Sequence, residues 1–210
     1  ALDRLVSTQD YADFARSFAG IGKASAACLS DGKRQFVHVT IAGTDDIPIE
    51  PSSDLYRNLV KALRDFGDPY LPIQVQSREL LLLIIQASVR VLPDYQWESV
   101  KPNVVAALQR KFSFQQRELG QDALASEVIS TIQAVEGVAF VDLDNFGALN
   151  EEEVRRSIAE QSAVANLITL EDRITAKLAW VEAKTRIRPA QLAHLSSAVE
   201  TTLILNEVTG

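Results

Sequence analysis

The sequence predicts an α+β protein of two consecutive ferredoxin-like (split βαβ) units, with antiparallel or mixed sheets, followed by a C-terminal extension. The order helix, hairpin, helix, strand over residues 1–78 is that of a ferredoxin-like unit without its first strand. A comparable α/β order recurs over residues 79–148, and residues 149–210 follow as a less regular stretch of helix and strands. At 210 residues the chain is long enough to bury its core without a disulfide or a metal.

The first predicted element is an amphipathic helix in "STQDYADFARSFAG". Ser7 together with Asp10 is typical of a helix start, and Gly20 is typical of a helix end. Four apolar residues at helical spacing form one face of it: Tyr11, Phe14, Ala15 and Phe18.

A β-hairpin is predicted next, because "IGKASAACL" and "RQFVHVTIA" flank "SDGK". The pair Asp31-Gly32 favours a tight two-residue turn, which pairs Cys28 with Gln35 and Ala26 with Val37. This register predicts one core face: Ala24, Ala26, Cys28, Val37, Val39 and Ile41.

A second helix is predicted from Asp54 to Phe66, with Pro51 and Ser52 or Ser53 at its start. "GDPYLPIQVQ" then returns as a strand, which completes the first predicted unit. The missing first strand of that unit is expected upstream of residue 1.

The second predicted unit opens with a strand in "LLLLIIQASVRVL", where Ala87, Val89 and Val91 alternate with Ser88 and Arg90. The elements that follow are a helix over 94–112 with an apolar stripe, a short edge strand in "FSFQQREL", a helix over 121–135, and a strand in "GVAFVDL". The stripe is Trp97, Val100, Val104, Leu108 and Phe112, and the last strand places Val138, Phe140 and Asp142 on one face.

The predicted extension starts with a charged helix in "NEEEVRRSIAEQ". Strands are expected near Ile174–Val181 and Thr202–Leu205, with a turn at Pro189 between them.

Composition and charge exclude several classes of protein. The net charge is -7 and the basic residues are scattered, which argues against nucleic acid as a partner. The longest apolar run, "LLLLII", is far below the roughly 20 residues that cross a bilayer, so no membrane insertion is expected. The single Cys28 and the lack of a signal sequence predict synthesis in the cytoplasm, and the lack of methionine predicts a segment of a longer polypeptide.

The stretch "DLDNFGALNEEE", residues 142–153, is a partial match to a calcium-binding loop. It places Asp142, Asp144 and Glu153 at ligand positions, but Phe146 stands where a further oxygen ligand is needed. The preceding segment alternates like a strand, whereas the calcium motif requires an incoming helix. We therefore interpret this stretch as a solvated strand-to-helix turn and expect no metal site.

Two further patterns are interpreted as structural. Gly22-Lys23 in "SFAGIGKAS" fails as a phosphate loop, because Ser17 replaces the first glycine and Ala24 replaces the magnesium ligand. The hairpin register places His38 opposite Ser25, on the other face of the sheet from Cys28, so a nucleophile and base pair is not expected. We interpret Cys28 as a small buried apolar residue and find no acid partner for His194.

Two pairs of carboxylates, Asp45-Asp46 and Asp142 with Asp144, are candidates for acid–base or metal chemistry. Neither pair has an apolar pocket in the sequence that would raise one pKa, and both are interpreted as surface turns. No catalytic residue, cofactor-binding residue or metal ligand is predicted, and the protein is expected not to be an enzyme. Two alternatives stay open: a ferredoxin-like module that binds a small molecule for regulation, and a metal-dependent hydrolase that uses Asp142 and Asp144.

Four ordered blocks of the sequence resemble the C-terminal part of the baseplate J-like family, whose bacterial members are putative baseplate assembly proteins. These blocks are "VSTQDYADFARSFAGIGKA", "FGDPYLPIQVQSRELLLLIIQASVRVLPDYQWESVKPNVVAAL", "KFSFQQRELGQDALASEVISTIQAVEGVAFVDLD" and "RPAQLAHLSSAVETTLILNE". The segment from Asn150 to Leu170 matches least.

The resemblance implies a structural wedge component of the baseplate of a contractile phage tail or injection system. It implies that the partners are other wedge proteins and copies of the chain itself, with no small-molecule substrate and no cofactor. The family has no catalytic residues to transfer, and its members are incorporated into the tail or injection-system baseplate after synthesis in the cytoplasm.

Overall fold

A computed structural model of the protein describes residues 4–160, 168–183, 186–196 and 202–208. The chain divides into two compact units: unit 1 is Ala1–Glu79 with Lys177–Gln191, and unit 2 is Leu80–Ala176 with Leu192–Gly210. The predicted boundaries at 78 and 148 thus differ from this division mainly at the C-terminal end. The residues expected to form a separate extension are shared between the two units.

The elements confirm the α+β class. The helices are α1 Thr8–Arg16, α2 Asp54–Phe66, α3 Trp97–Lys111, α4 Ala125–Gln133 and α5 Glu151–Glu160. The strands are β1 Ile21–Ser30, β2 Gln35–Gly43, β3 Ile73–Ser77, β4 Glu79–Val91, β5 Ala123–Leu124, β6 Val138–Leu149, β7 Arg173–Ile174, β8 Trp180–Glu182, β9 Arg186–Arg188, β10 Gln191–His194 and β11 Leu203–Glu207.

The helix starts in unit 1 follow local side-chain chemistry. Ser7 and Asp10 form the predicted capping box of α1, in which the Asp10 carboxylate accepts the Ser7 N–H at 2.8 Å. Ser53 caps α2 by accepting the N–H of Tyr56 at 3.2 Å. Both predicted helix starts are therefore confirmed.

The sheet of unit 1 has the order β1-β2-β3, with β1 antiparallel to β2 and β2 parallel to β3. Because α2 connects two parallel strands that pair directly, β2-α2-β3 is a simple βαβ crossover. A split βαβ unit would keep a strand between them. The predicted ferredoxin-like arrangement of this unit is therefore not confirmed, and a missing strand has no place at the centre of the sheet.

The hairpin register differs from the prediction by two residues. Cys28 pairs with Val37 and Ser30 with Gln35, so four residues, 31–34, form the loop. The Asp31 carboxylate accepts the backbone N–H groups of Lys33 and Arg34, both at 2.9 Å, and this stabilises the longer loop. A shift of two residues leaves each side chain on its predicted face.

One face of the unit 1 sheet forms the core with α1 and α2. The predicted core residues Ala24, Val37, Val39 and Ile41 are buried, and Ala26 is half-buried against them. The prediction that Cys28 is buried is wrong, because it lies near the end of the hairpin and is exposed. Strand β2 is buried on both faces from Phe36 to Gly43.

Residues of the predicted extension cover the second face of this sheet. The backbone N–H of Ala190 donates to the Thr40 hydroxyl at 2.9 Å, and β8 contacts β1. Strands β8 and β9 pair with each other as a separate antiparallel hairpin. Unit 1 is therefore closed by chain that lies far away in the sequence.

Strand β4 is the centre of a four-stranded sheet in unit 2. It pairs antiparallel with β6 and parallel with β11, and it also pairs with β10. As predicted, Ala87 and Val89 are buried and Arg90 is exposed. The predicted stripe of α3 packs on this face together with α4; its buried members are Val100, Val104, Leu108 and Phe112.

Three local predictions for unit 2 are wrong. The expected edge strand in "FSFQQREL" is a 3₁₀ turn at Phe114–Gln116, capped by the Ser113 hydroxyl, and α4 begins at Ala125 instead of residue 121. Two register shifts in the β4–β6 pairing turn Val141 and Leu143 into the core and leave Phe140 exposed. Val138, Phe140 and Asp142 were predicted to share one face of the strand, but only Val138 is buried in the core.

The charged helix predicted after residue 150 is α5, which packs Val154 against Ile84 and Leu149. None of the helices in the described ranges is long and apolar enough to cross a membrane.

Candidate functional site

The stretch that resembles a calcium loop is mostly a strand. Residues 142–149 belong to β6, and the Phe146 side chain is fully buried in the core of unit 2. Only Asn150 separates β6 from α5. Asn150 and Glu153 cap this helix reciprocally: the Glu153 carboxylate accepts the Asn150 N–H at 2.8 Å, and the Asn150 side chain accepts the Glu153 N–H at 3.0 Å. The carboxylate that would close a calcium loop is therefore used to start a helix.

Asp142 and Asp144 lie on β6, so their interpretation as a surface turn is corrected. Asp142 pairs in register with Ser88, and Asp144 occupies the bulge next to it. The Asp144 carboxylate accepts a hydrogen bond from the Ser88 hydroxyl at 2.8 Å. In the described ranges, no three His, Cys, Asp or Glu residues are grouped in a way that could hold a metal ion.

Asp45 and Asp46 lie in a turn, as predicted, with Asp45 exposed, but the Asp46 carboxylate is a structural anchor. Its two oxygens bind the Arg78 guanidinium at Nε, 2.8 Å, and at a terminal nitrogen, 2.5 Å. The side chains are only 18% and 13% exposed, so this bidentate pair is shielded from solvent. Asp45 and Asp46 both have left-handed backbone, with φ 53° and 62°, and the turn holds Asp46 toward Arg78.

The two histidines are bonded inside their own units. His38 Nε2 lies 2.9 Å from the Gln76 side-chain oxygen and Nδ1 lies 3.4 Å from the Thr40 hydroxyl. Burial lowers the pKa of His38, and its hydrogen bond to Gln76 partly opposes this. His194 Nδ1 lies 2.8 Å from the Leu195 carbonyl oxygen, and the ring packs edge-to-face on Phe114.

The remaining sequence candidates are also placed in the sheet of unit 1. His38 lies on the opposite face from Cys28, because Cys28 pairs with Val37. Gly22-Lys23 begins β1 at a register irregularity, where Lys23 is buried. A nucleotide-binding turn would instead lead from a strand into a helix.

A buried arginine in unit 2 was not predicted from the sequence. Arg117 is 1% exposed and donates to the carbonyl oxygens of Ala193 at 3.3 Å, Gln121 at 3.1 Å and Asp122. Its guanidinium also lies 3.6 Å from the Glu127 carboxylate. Burial lowers the pKa of Arg117, while the nearby carboxylates oppose that shift. The only sequence signal was an arginine inside a segment that mixes apolar and polar residues.

A second unpredicted network ties the distant segments of unit 1 together. Arg188 pairs with Glu79 and with Glu182, and its guanidinium lies 5.7 Å from the centre of the Trp180 ring. The Glu79 backbone N–H donates to the Ala190 carbonyl at 3.0 Å. Arg188 thus holds the β8–β9 hairpin to the end of residues 1–79.

The surface offers shallow grooves. One groove of about 410 Å³ in unit 2 lies between the C-terminal ends of α3 and α4 and includes Ala107, Arg110, Lys111 and Val135. Another of about 280 Å³ in unit 1 follows α2. Every buried side-chain polar atom of the described residues has a hydrogen-bond partner. The interior polar groups are therefore bonded within the structure itself.

Charge is distributed unequally between the units. Unit 1 contains 13 Lys and Arg against 12 Asp and Glu, a net charge of +1, whereas unit 2 contains 8 against 16, a net charge of -8. The acidic character of the chain therefore belongs to unit 2. A surface of one sign attracts partners of the opposite sign and raises association rates.

One family model matches part of the chain. Residues 3–76 match the family model described as the baseplate J-like central domain, which confirms the predicted resemblance for that region and assigns it to the central domain instead of the C-terminal part. No curated protein matches the chain. A chain in the cryo-EM structure of the anti-feeding prophage (AFP) baseplate, 6-fold symmetrised, is similar in fold, with a TM-score of 0.58 and 7% identity. The match covers 100% of this chain and 39% of that chain.

Proposed function

We propose that this baseplate J-like protein, with the central domain of its family at residues 3–76, is a structural wedge component of a contractile tail or injection-system baseplate. The observation that carries the proposal is the family match. The similarity of the whole chain in fold to part of an AFP baseplate chain supports it.

The chemistry of the interior supports a structural role. The buried or half-buried polar groups that could serve a reaction are used to join segments: Asp46 with Arg78, Glu79 with Arg188, and Arg117 with backbone carbonyls. Such ties hold a surface in one shape, which suits a protein that works by docking. The protein is not an enzyme in this proposal, and its outer faces are the functional sites.

The partners in this proposal are other wedge proteins and copies of the chain itself, met after synthesis in the cytoplasm. Unit 2, with its net charge of -8, fits a partner with a basic surface. Association should therefore be fast at low salt and slower at high salt.

The regulatory module that binds a small molecule is the second candidate. The groove between α3 and α4 favours it, because about 410 Å³ is within the usual size of a ligand site and Arg110 and Lys111 border it. An anionic metabolite would be the chemical class that fits two basic side chains.

The decisive experiment is co-expression of the full-length protein with any wedge, sheath, tube or spike proteins that the neighbouring genes encode. We expect a complex that survives size-exclusion chromatography, and its loss or weakening when Glu151 and Glu152, exposed at the start of α5, are both changed to Lys. Asp54→Lys on α2 is the matched control, because this carboxylate is also exposed in the first turn of a helix and, like Glu152, is paired within its helix.

Deletion of residues 186–210 is not a clean test, because it removes parts of both units. A protein that binds no tail component but retains a metabolite through purification would replace the structural proposal with the regulatory one.

A further inference from the structure

Strand β1 is an open edge of the unit 1 sheet. Within the described residues it pairs with β2 alone; the hairpin β8–β9 contacts β1 but forms a separate sheet and does not pair with it. The start of β1 is protected by the register irregularity next to Ile21 and by the buried Lys23. The next seven residues, Ala24–Ser30, contain no charge and no proline. Such an edge presents unpaired backbone groups to any extended strand.

The opposite edge of the same sheet is protected. Strand β3 has five residues, and the Tyr56 hydroxyl on α2 donates to the Val75 carbonyl at 2.8 Å. The hydroxyl of Ser77, at the end of β3, also donates to the Ile49 carbonyl oxygen at 3.5 Å. One edge of this small sheet is therefore protected and the other is open, which indicates that β1 is available to pair with another strand.

Unit 2 has its own contrast between edges. Strand β6 has two register shifts along its pairing with β4, and such bulges disfavour further pairing. Strand β11 pairs with β4 over five residues without an irregularity and carries an exposed Asn206 and Glu207. It is therefore a regular strand at an edge of the unit 2 sheet.

Charge identifies the partner of β1. The hairpin loop beside it exposes Lys33 and Arg34, two basic residues against the one carboxylate of Asp31, which is bonded to the loop backbone and lies 3.9 Å from the Arg34 guanidinium. Unit 1 has a net charge of +1 and unit 2 a net charge of -8. Two copies of unit 1 would bring basic loops together, and two copies of unit 2 would repel strongly. Pairing of unit 1 with unit 2 of another copy is favoured.

We propose that β1 of one copy adds to the sheet of a second copy at β11, so that copies associate head to tail. A contact between two different surfaces can repeat from copy to copy, and such contacts build rings when the rotation closes and filaments when it does not. The inference deepens the proposed structural role and rests on it for the use of this contact in an assembly.

The single Cys28 makes the contact measurable. When the open segment Ala24–Ser30 of β1 and strand β11 are centred on each other, Cys28 and Asn206 of the next copy are opposite neighbours if the strands are parallel and diagonal neighbours if they are antiparallel, within about 8 Å in either case. The full chain is mixed with an equal amount of the variant Cys28→Ser, Asn206→Cys and treated with a short bismaleimide. We expect crosslinked dimers in the mixture and monomers in either protein alone.

Matched edge variants test the mechanism. Ala27 and Gln74 both pair with His38, from opposite sides, so Ala27→Lys and Gln74→Lys place the same charge in one row at the open and the protected edge. We expect Ala27→Lys to lower the crosslinking yield about tenfold, since an edge lysine opposes pairing, while Gln74→Lys leaves it unchanged. The double variant Lys33→Glu, Arg34→Glu should lower the crosslinking yield by a similar factor.

The outcomes separate this inference from the proposed function. Crosslinks in the wild-type protein alone would mean that β1 pairs with β1, and equal yields for the two lysine variants would mean that the edge is not used; either result overturns the inference. Binding to tail components in the co-expression experiment would still support the structural role in those cases. Circular dichroism of each variant confirms that its units are folded.

Discussion

Replacement of Arg117 by methionine should destabilise unit 2 by about 3–5 kcal/mol, the usual cost of removing one partner from a buried charged network. The side chain is 1% exposed, and its loss leaves three carbonyl oxygens, those of Ala193, Gln121 and Asp122, without their donor. Each unsatisfied carbonyl costs about 1–3 kcal/mol. Relief from burying the guanidinium offsets part of that sum, which gives the expected range. The loss of stability caused by Arg117→Lys should be smaller than that caused by Arg117→Met but not zero, because one ammonium group cannot reach three carbonyls in different directions.

The measurement is urea unfolding followed by tryptophan fluorescence in a Trp180→Phe background, so that Trp97 in α3 reports on unit 2 alone. Arg173→Met is the matched control. This arginine contacts the Asp122 carboxylate at 3.5 Å but is 60% exposed, so its loss should cost less than about 1 kcal/mol. Equal effects of the Arg117 and Arg173 substitutions would refute the reasoning that burial sets the cost.

Three further predictions concern the core, the acidic stretch and pH. Val89→Asp buries an unpaired carboxylate and should destabilise the protein by several kcal/mol, whereas Arg90→Glu on the exposed face should cost less than about 1 kcal/mol in the same unfolding assay. Calcium should not bind residues 142–153; calorimetric binding tighter than about 100 μM that Glu153→Gln abolishes would contradict this. Because burial lowers the pKa of His38, the unfolded chain binds the extra proton below about pH 6.5. Stability should therefore fall as pH drops from about 6.5 toward the lowered pKa, and His38→Gln should flatten this dependence.

Elements determined by neighbouring residues could be predicted from the sequence. The Ser7 and Asp10 capping box, the bounds of α2 and the alternation of Ala87, Val89 and Arg90 in β4 each depend on a few adjacent side chains. Residues close in the chain interact in the same way in most folds, so the local pattern is sufficient.

Features for which two local conformations have similar free energies could not be predicted. The Asp31 side chain accepts two backbone N–H groups and so favours a four-residue loop over the two-residue turn expected from Asp31-Gly32. In β6 the bulges change which side chains face the core, and strict alternation places Phe140 on the wrong face. A bulge costs little when both alternatives bury enough apolar surface, and alternation alone does not reveal it.

Contacts between distant segments were the third kind of failure. That β2 and β3 are parallel neighbours, and that Arg117 meets the Ala193 carbonyl, are results of the complete fold. The same limit applied to the candidate site. The sequence showed Asp46 as part of a carboxylate pair, but it did not show that Arg78, 32 residues later, binds it.

The closure of unit 1 by Lys177–Gln191 has a consequence for how the protein is made. On the ribosome, residues 1–79 emerge before Lys177–Gln191, with Thr40 still lacking the Ala190 N–H and Glu79 still lacking Arg188. At about 5–20 residues per second, the closing segment follows roughly a hundred residues later, after about 5–20 seconds of translation. During that interval one face of the nascent sheet is uncovered, so it is a natural place for a chaperone to bind, and unit 2 must be largely synthesised before unit 1 can finish folding.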